Sequence, residues 1–237
     1  MVQIILKNKS DETLYTTDAN SYVDAMREAT KNGVDLTNLC IDTTEVDEDL
    51  LWNDCSDLQG LNIPNFFYSD DRPLERCDNT FIDMDLCGAN ISLYDIEDGY
   101  VEYHNCNLCS ASLSGGFSTK LEKCVIDSKT ILPSADNCNT YEIVDCDFQF
   151  NDGDKIKVCD ITVCFSGVRD KYLEKCFETI GAKVVSSMTK AVNVLIVKDI
   201  NSSTSKIIKA RENGVHIIQL DEIKNMFSYM YNEDNDY

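Results

Sequence analysis

The sequence predicts two domains of different fold class, a β-rich repeat domain followed by a smaller α/β domain. Three observations indicate this division. Apolar residues return every five positions through residues 36–149, whereas helix and strand periodicities alternate from residue 156 onward. All of the net negative charge lies in the first part of the chain. A length of 237 residues suits one or two domains and is sufficient to bury a core.

The charge is divided unevenly along the chain. The whole sequence carries 42 acidic and 21 basic residues, for a formal net charge of −21. Residues 157–237 contain 11 of each sign, which leaves 31 acidic and 10 basic residues in residues 1–156. An acidic surface repels phosphate backbones, so nucleic-acid binding by residues 1–156 is disfavoured. The neutral second part carries no such charge barrier.

The composition excludes several protein classes. With 43% hydrophobic and 27% charged residues, the chain is too apolar for global disorder. No apolar run approaches the roughly 18–20 residues of a membrane span, and no signal-peptide pattern opens the sequence. We therefore expect a soluble cytoplasmic protein, or one of the host cytoplasm if its source is viral.

Residues 1–35 predict a small cap. Two strand-like runs, residues 2–7 and 14–17, flank a turn-forming segment and suggest a β-hairpin. Ser21 and Asp24 have capping-box spacing at the start of a helix that Gly33 can end. A hairpin with one helix is too small to be stable alone, so this cap must pack against the segment that follows.

A five-residue period governs residues 36–149. The residue two positions before the apolar one is often small, and the residue between them is often Asn or Asp. Neither a strand period of 2.0 nor a helix period of 3.6 divides five, so ordinary strands or amphipathic helices do not explain the pattern. The apolar series is Leu36, Ile41, Val46, Leu51, Leu58, Ile63, Phe81, Leu86, Ile91, Ile96, Val101, Leu108, Leu113, Ile126, Ile131 and Phe148, and the small residues are Ala89, Cys106, Ala111, Cys124 and Cys146.

This pattern resembles a degenerate form of the pentapeptide-repeat family. The resemblance implies a right-handed quadrilateral β-helix, with four units per turn, behind the hairpin-helix cap. Two departures are plain: glycine is mostly missing from the fifth place, and the register breaks near residue 54 and within residues 68–76, 116–123 and 133–137. An irregular all-β domain is the alternative.

The second part predicts the element order β-α-β-β-α-β-α after a polar linker over residues 150–155. Strands are expected at residues 160–165, 182–186, 192–197 and 215–218, and helices at residues 169–180, 204–213 and 220–231. Gly181 can end the first helix, and Thr204 can cap the second. Residues 232–237 form an acidic tail that is most simply a frayed end.

Five short runs in this part resemble a BRCT domain in family order and spacing. They occupy residues 163–167, 180–184, 194–197, 204–210 and 214–218. The resemblance covers residues 156–231, is greatest to the single BRCT domains of bacterial NAD-dependent DNA ligases, and implies a four-stranded parallel sheet. The family's final helix usually carries a tryptophan, a place that Ile223 or Phe227 must fill here.

The BRCT resemblance also implies a candidate phosphate site at Ser166, Gly167 and Lys206. In phosphate-binding members, a hydroxyl and a glycine N–H after the first strand meet a lysine at the start of the second helix. Thr204 caps that helix and could line the same pocket. Free N–H groups and a partial positive charge at a helix N-terminus favour an anion. The alternative is a simple tight turn at Ser166–Gly167 and a solvated Lys206.

The twelve cysteines predict buried, reduced thiols rather than a disulfide framework or a zinc site. His104, Cys106 and Cys109 could form a partial metal site, but no second ligand pair follows. No cysteine lies in a catalytic signature, and no glycine-rich nucleotide loop is present. We therefore predict no catalytic residue, no metal and no cofactor.

The two resemblances imply a non-enzymatic binding or adaptor protein that acts on the machinery of DNA replication or repair. In one alternative, the acidic domain mimics DNA and inhibits a gyrase-like or polymerase-like enzyme of a host. In another, the BRCT domain binds 5′-phosphate DNA ends. We expect protein partners, nucleic acid only through the BRCT domain, no membrane, and either a monomer or a homodimer.

Overall fold

The computed structural model describes residues 1–52, 55–70, 79–93, 100–114, 118–133, 141–168 and 170–227. Several sequence expectations therefore lie outside the described residues. These are Ile96, Arg169, the helix end at residues 228–231, the acidic tail at residues 232–237, and the register breaks in so far as they fall on residues 54, 71–76, 116–117 and 134–137.

Where the structure describes it, the first part of the chain contains one α-helix, α1, and thirteen strands. The helix is Tyr22–Lys31. The strands are β1 (Val2–Asn8), β2 (Thr13–Ala19), β3 (Leu39–Asp42), β4 (Phe67–Asp70), β5 (Asn79–Ile82), β6 (Asn90–Leu93), β7 (Tyr100–His104), β8 (Ser112–Ser114), β9 (Ser118–Glu122), β10 (Val125–Asp127), β11 (Tyr141–Val144), β12 (Asp147–Gln149) and β13 (Lys155–Lys157).

The chain begins with a hairpin and a helix. Strands β1 and β2 pair antiparallel, and the hydroxyl of Ser21 accepts a hydrogen bond from the N–H of Asp24, so Ser21 caps α1. The helix buries the face that carries Val23, Met26 and Ala29. Strand β1 also pairs with β3, and this pairing docks the hairpin onto the rest of the chain.

Parallel pairing dominates after β3. One sheet has the order β2-β1-β3-β4-β6-β8 and is parallel from β3 onward, and a second has the all-parallel order β11-β9-β7-β5. Isolated parallel bridges join Asn62 to Asp85, Asp85 to Asn107 and Asn107 to Val125, in line with the β10–β12 pair. Beyond the β3–β4 pair, partners in these ladders are about 20 residues apart in the sequence, as in Ile91 and Leu113.

The residues of the five-residue period point inward. Among those in the described part of the chain, Val46 and Ile131 are half-buried and the remainder are buried. The small residues, such as Ala89 and Cys124, are buried as well. Burial of one large aliphatic or aromatic side chain contributes about 1.5–3 kcal/mol, so the repeated pairs of large and small residues supply the core.

Residues with positive φ separate the parallel strands and form two columns. Most are Asn or Asp, which tolerate this conformation better than other non-glycine residues, and they take the place of many glycines. Several of their N–H groups donate to the carbonyl of the residue just before the next member of the column: that of Asn65 donates to the Cys87 carbonyl, and that of Asn105 to the Glu122 carbonyl, both at 2.8 Å. The columns are Asn38, Asn65, Gly88 and Ser110, and Gly60, Asp83, Asn105, Lys123 and Asp145.

The second part has the predicted order β-α-β-β-α-β-α. Its sheet is parallel throughout, with the order β15-β14-β16-β17. No helix in the described ranges is long and apolar enough to cross a membrane. The elements are β14 (Thr162–Ser166), α2 (Lys171–Thr179), β15 (Lys183–Val185), β16 (Val194–Val197), α3 (Ser205–Glu212), β17 (His216–Gln219) and α4 (Leu220–Met226).

Helices cover both faces of this sheet, as a buried parallel sheet requires. Leu195 and Val197 pack with Ile207 and Ala210 of α3 on one face. The opposite face joins the larger core, to which α2 and α4 contribute. At the place where a tryptophan is usual, both Ile223 and Phe227 are buried.

The expected linker over residues 150–155 is instead a hairpin. Strands β12 and β13 pair antiparallel, the Phe150 N–H donates to the Asp154 carbonyl at 2.8 Å, and Gly153 supplies a φ of 91°. Phe150 is only 7% exposed. The polar turn residues suggested a linker. The segment is instead ordered by the burial of Phe150 and by the pairing of the strands on either side.

The two parts share one continuous hydrophobic core. Helix α4 lies against residues 128–132: the Leu132 N–H donates to the Met226 carbonyl, and the Ser128 hydroxyl donates to the Glu222 carboxylate, both at 3.0 Å. The carboxyl-terminal domain is therefore packed onto the end of the first part, with apolar and polar contacts between them.

Candidate functional site

A groove of about 720 Å³ lies beside the carboxyl-terminal end of β14. Ligands of open α/β sheets commonly bind at this edge, where the strands end and the following helices begin. The groove is lined by Phe165, Gly167, Val168, Glu174, Glu178, Val184, Val185, Ser186 and Lys206.

Two of the four predicted site residues line this groove, namely Gly167 and Lys206. Gly167 has a φ of 75°, and no atom lies within 4 Å of the position that a Cβ would take there. The main chain directly after β14 is therefore open to a ligand. A larger residue at this position would bring strain in the backbone and cover that opening.

The other two predicted residues, Ser166 and Thr204, contact each other. Their hydroxyl oxygens are 3.3 Å apart, and Ser166 is only 7% exposed. Thr204 caps α3, with its hydroxyl accepting a hydrogen bond from the Ile207 N–H at 3.4 Å. This hydroxyl pair holds the N-terminus of α3 beside the end of β14, behind the wall of the groove.

The Lys206 ammonium bridges the ends of two strands. Its Nζ donates to the Phe165 carbonyl at 2.7 Å and to the Ser186 carbonyl at 3.1 Å, and lies 3.5 Å from the Cys164 Sγ. Two of the three ammonium donors bond to these carbonyls, whereas the third has only the weakly accepting Cys164 sulfur near it. Lys206 is therefore not simply a solvated side chain, because the strand ends hold its positive charge at the groove.

The groove wall also carries two carboxylates that were not among the predicted site residues. Glu174 and Glu178 lie one turn apart on α2, so both side chains are on the same helix face. Their i, i+4 spacing was visible in the sequence. Which way that face pointed depended on how α2 packs against the sheet. Among its described lining residues, the groove therefore joins one cation to two anions.

The disfavoured alternative, a partial metal set of His104, Cys106 and Cys109, does not come together in the described part of the chain. His104 Nε2 lies 2.7 Å from a Glu102 carboxylate oxygen, whereas the buried Cys106 thiol is bonded to main-chain carbonyls, including that of Phe81. Burial raises the pKa of the Cys109 thiol to about 12, so it is a poor source of thiolate.

A different group brings potential metal ligands together. Within the described part of the chain, Asp152, Asp154 and His216 place one ligand atom each within 4.8 Å of one another. Both carboxylates are exposed on the hairpin turn. Spacing could not reveal this group, because the fold brings His216 to the hairpin from a distant strand.

Comparison with known proteins places the carboxyl-terminal part in a described family. The BRCA1 C Terminus (BRCT) domain matches residues 156–227. The chain is 32% identical over 71 residues to a DNA ligase of Sorangium cellulosum (strain So ce56), which covers 29% of this chain and 10% of that protein. It is 37% identical over 65 residues to a predicted DNA ligase of Invertebrate iridescent virus 6, which covers 27% of this chain and 11% of that protein.

Each of the two ligase matches spans only about a tenth of the relative's length, and the family match covers residues 156–227 of this chain. The four-stranded parallel sheet and the order of its helices agree with the family match. Residues 156–227 form a BRCT domain that resembles the BRCT regions of DNA ligases.

Proposed function

We propose that the protein is a non-enzymatic docking protein of DNA replication or repair, and that its BRCT domain binds a phosphate-bearing partner. One observation carries this proposal: the Lys206 ammonium is held beside the open main chain of Gly167, at the start of α3. A lysine charge and a helix N-terminus both favour a phosphate group.

Binding of phosphoserine to the full-length chain tests this proposal. Amide chemical shifts of Gly167 and of residues 204–206 are expected to move with added phosphoserine and to stay fixed with serine. The Lys206→Met variant should lose the response. Unmoved shifts in the unsubstituted protein at saturating phosphoserine would contradict a phosphate site in this groove.

A second candidate is binding of 5′-phosphate DNA ends through the same groove. The likeness to BRCT regions of two DNA ligases favours it. A 5′-phosphorylated duplex should then bind more tightly than the same duplex with a 5′-hydroxyl, and the binding should weaken as salt is raised. Equal binding of the two duplexes would remove this candidate.

For the first part, we propose a degenerate pentapeptide-repeat β-solenoid. Three observations support it: the parallel ladders with partners about 20 residues apart, the burial of the five-residue series, and the two columns of positive-φ residues. In this arrangement the BRCT domain docks at the end of the solenoid. The free thiols in the described ranges suit a reducing cytoplasm.

The acidic surface of the first part supports a further candidate, mimicry of DNA towards a gyrase-like or polymerase-like enzyme. The whole net charge of −21 resides there, as a competitor for a basic DNA-binding groove requires. Inhibition of such an enzyme that is relieved by added duplex DNA would support mimicry. Inhibition that DNA does not relieve would count against it.

A further inference from the structure

We propose that the BRCT groove selects a phosphorylated protein segment that carries a lysine or arginine near the phosphoresidue, and that it discriminates against DNA ends. This inference rests on the proposed phosphate-binding function of the same groove, because it names the ligand that the groove accepts.

The charges on the groove wall carry the inference. Among the described residues that line the groove, Lys206 is the one cation, whereas Glu174 and Glu178 are both acidic. A phosphate dianion alone is attracted by Lys206 and repelled by Glu174 and Glu178. A ligand that places a positive charge beside the glutamates removes this repulsion and gains up to two further ion pairs.

The size and position of the groove favour a chain segment over an isolated phosphate. A volume of about 720 Å³ exceeds what a single phosphate group fills. Val184, Val185 and Ser186 line one side, and β15 is an edge strand of its sheet. An edge strand offers main-chain groups to an extended peptide, and α2 forms the opposite wall with its glutamates.

A DNA end fits this electrostatic pattern poorly. Duplex DNA carries one negative charge per roughly 1.7 Å of helix axis, so phosphates next to the bound one would approach the groove wall. Neither Glu174 nor Glu178 can attract them. The first part of the chain, with its net charge of −21, adds repulsion of the same sign.

Fluorescence anisotropy with the full-length chain and four matched peptides tests the inference. The peptides contain phosphoserine or serine, each with lysine or with glutamate at a scanned position from one to four residues away. The same duplex with a 5′-phosphate is the DNA probe. We expect the lysine phosphopeptide to bind roughly fivefold to tenfold more tightly than the glutamate phosphopeptide at its best position, as two partly exposed ion pairs allow.

Two variants and one control assign the effect to the groove. The double variant Glu174→Gln, Glu178→Gln should keep phosphate dependence and lose the lysine preference. Lys206→Met should lose phosphate dependence. Glu212→Gln changes an exposed carboxylate on α3 that does not line the groove, so it should behave as the unsubstituted protein. Thermal unfolding of each variant verifies that it is folded.

The outcomes separate this inference from the function on which it rests. Phosphate-dependent binding without a lysine preference, or a preference that the double glutamine variant keeps, overturns the inference alone. Binding of every peptide without regard to phosphate overturns the proposed phosphate site as well. Tighter binding of the phosphorylated duplex than of any phosphopeptide overturns the inference and supports the DNA-end function.

Discussion

The aromatic ring of Phe150 lies parallel to the imidazole of His216, with ring centroids 3.6 Å apart and an interplanar angle of 3°. Phe150 follows the last parallel strand of the acidic part, whereas His216 opens an edge strand of the BRCT sheet. The Nδ1 of His216 also lies 3.6 Å from an Asp152 carboxylate oxygen. This contact ties the hairpin at the junction to the BRCT domain.

Replacement of Phe150 by alanine should therefore destabilise both parts together. The side chain is 7% exposed, and a large-to-small change at a buried phenylalanine typically costs about 3–5 kcal/mol of unfolding free energy. Urea denaturation followed by Trp52 fluorescence and by far-ultraviolet circular dichroism measures this loss. Because the core is continuous, both probes should report one coincident transition.

Tyr100→Ala serves as the control for that variant, since Tyr100 is 70% exposed. Its unfolding free energy should stay within about 0.5 kcal/mol of the unsubstituted value, as is usual for surface changes. Separate transitions for the two probes in the unsubstituted protein would contradict a shared core.

Gly88→Ala should be strongly destabilising. Gly88 has a φ of 70°, and an added Cβ would collide with Oδ1 of Asn65, whose side chain would have to shift. Backbone strain and this close approach act together, and strain of this kind alone costs about 1–3 kcal/mol. Thermal unfolding measures the loss.

Gly33→Ala is the matched control for the steric effect. Gly33 has a φ of 75°, but no atom lies within 4 Å of its added Cβ, so it should show the backbone penalty without the clash. Equal losses at Gly33 and Gly88 would show that contact with Asn65 contributes nothing.

Lys206→Met should lower stability even without any ligand. The substitution removes the charged donor from the carbonyls of Phe165 and Ser186, and loss of a hydrogen bond to a charged group costs about 1.5–3 kcal/mol. Chemical denaturation of the full-length chain measures this cost. Lys190→Met, an exposed position off the groove, should change little, and an equally small effect at Lys206 would contradict the bridging role.

Thiol reactivity should divide the cysteines by burial. Cys159 is exposed, whereas Cys109, Cys124 and Cys146 are buried. Iodoacetamide at neutral pH should label Cys159 before these three buried thiols, which should react only on unfolding, as mass spectrometry of the peptides would reveal. Early labelling of Cys124 in the folded protein would contradict its place in the core.

Stability should fall as the pH rises above about 9. Burial raises the pKa of the Cys109 and Cys176 thiols from 9.0 to about 12. In the unfolded chain these thiols ionise near pH 9, and this ionisation stabilises the unfolded state, whereas the folded state does not gain the same stabilisation until about pH 12. Their contribution is complete below pH 9 and is lost progressively above it.

The double variant Cys109→Ala, Cys176→Ala should show a shallower loss of unfolding free energy over this alkaline range. Denaturation midpoints compared at neutral and alkaline pH provide the measurement. An identical alkaline slope in the two proteins would assign the loss to other groups, such as tyrosines or lysines.

Much of the architecture could be predicted because the controlling patterns are local. The five-residue period predicted the inward-pointing positions correctly. In a regular repeat, side chains point inward at a fixed interval, so the spacing of apolar residues in the sequence shows which positions are buried. Ser21 and Thr204 predicted the starts of α1 and α3, because the side chain of a helix N-cap bonds to an N–H only two or three positions away. The order of the BRCT elements followed from the same short-range signals.

The tertiary structure decided the contacts between residues that are distant in sequence. Turn-forming residues after Phe150 resembled a linker, and only the packing of its ring on His216 made that segment part of the core. The sequence showed that Glu174 and Glu178 share one face of a helix. The direction in which that face points depended on how α2 packs beside β15. The sequence by itself determined which side chains point inward and where the elements begin. The tertiary structure decided which of these side chains meet at the groove and at the junction. Those contacts form because separate segments bury a shared apolar surface, and the spacing of residues along the chain does not encode which segments do so.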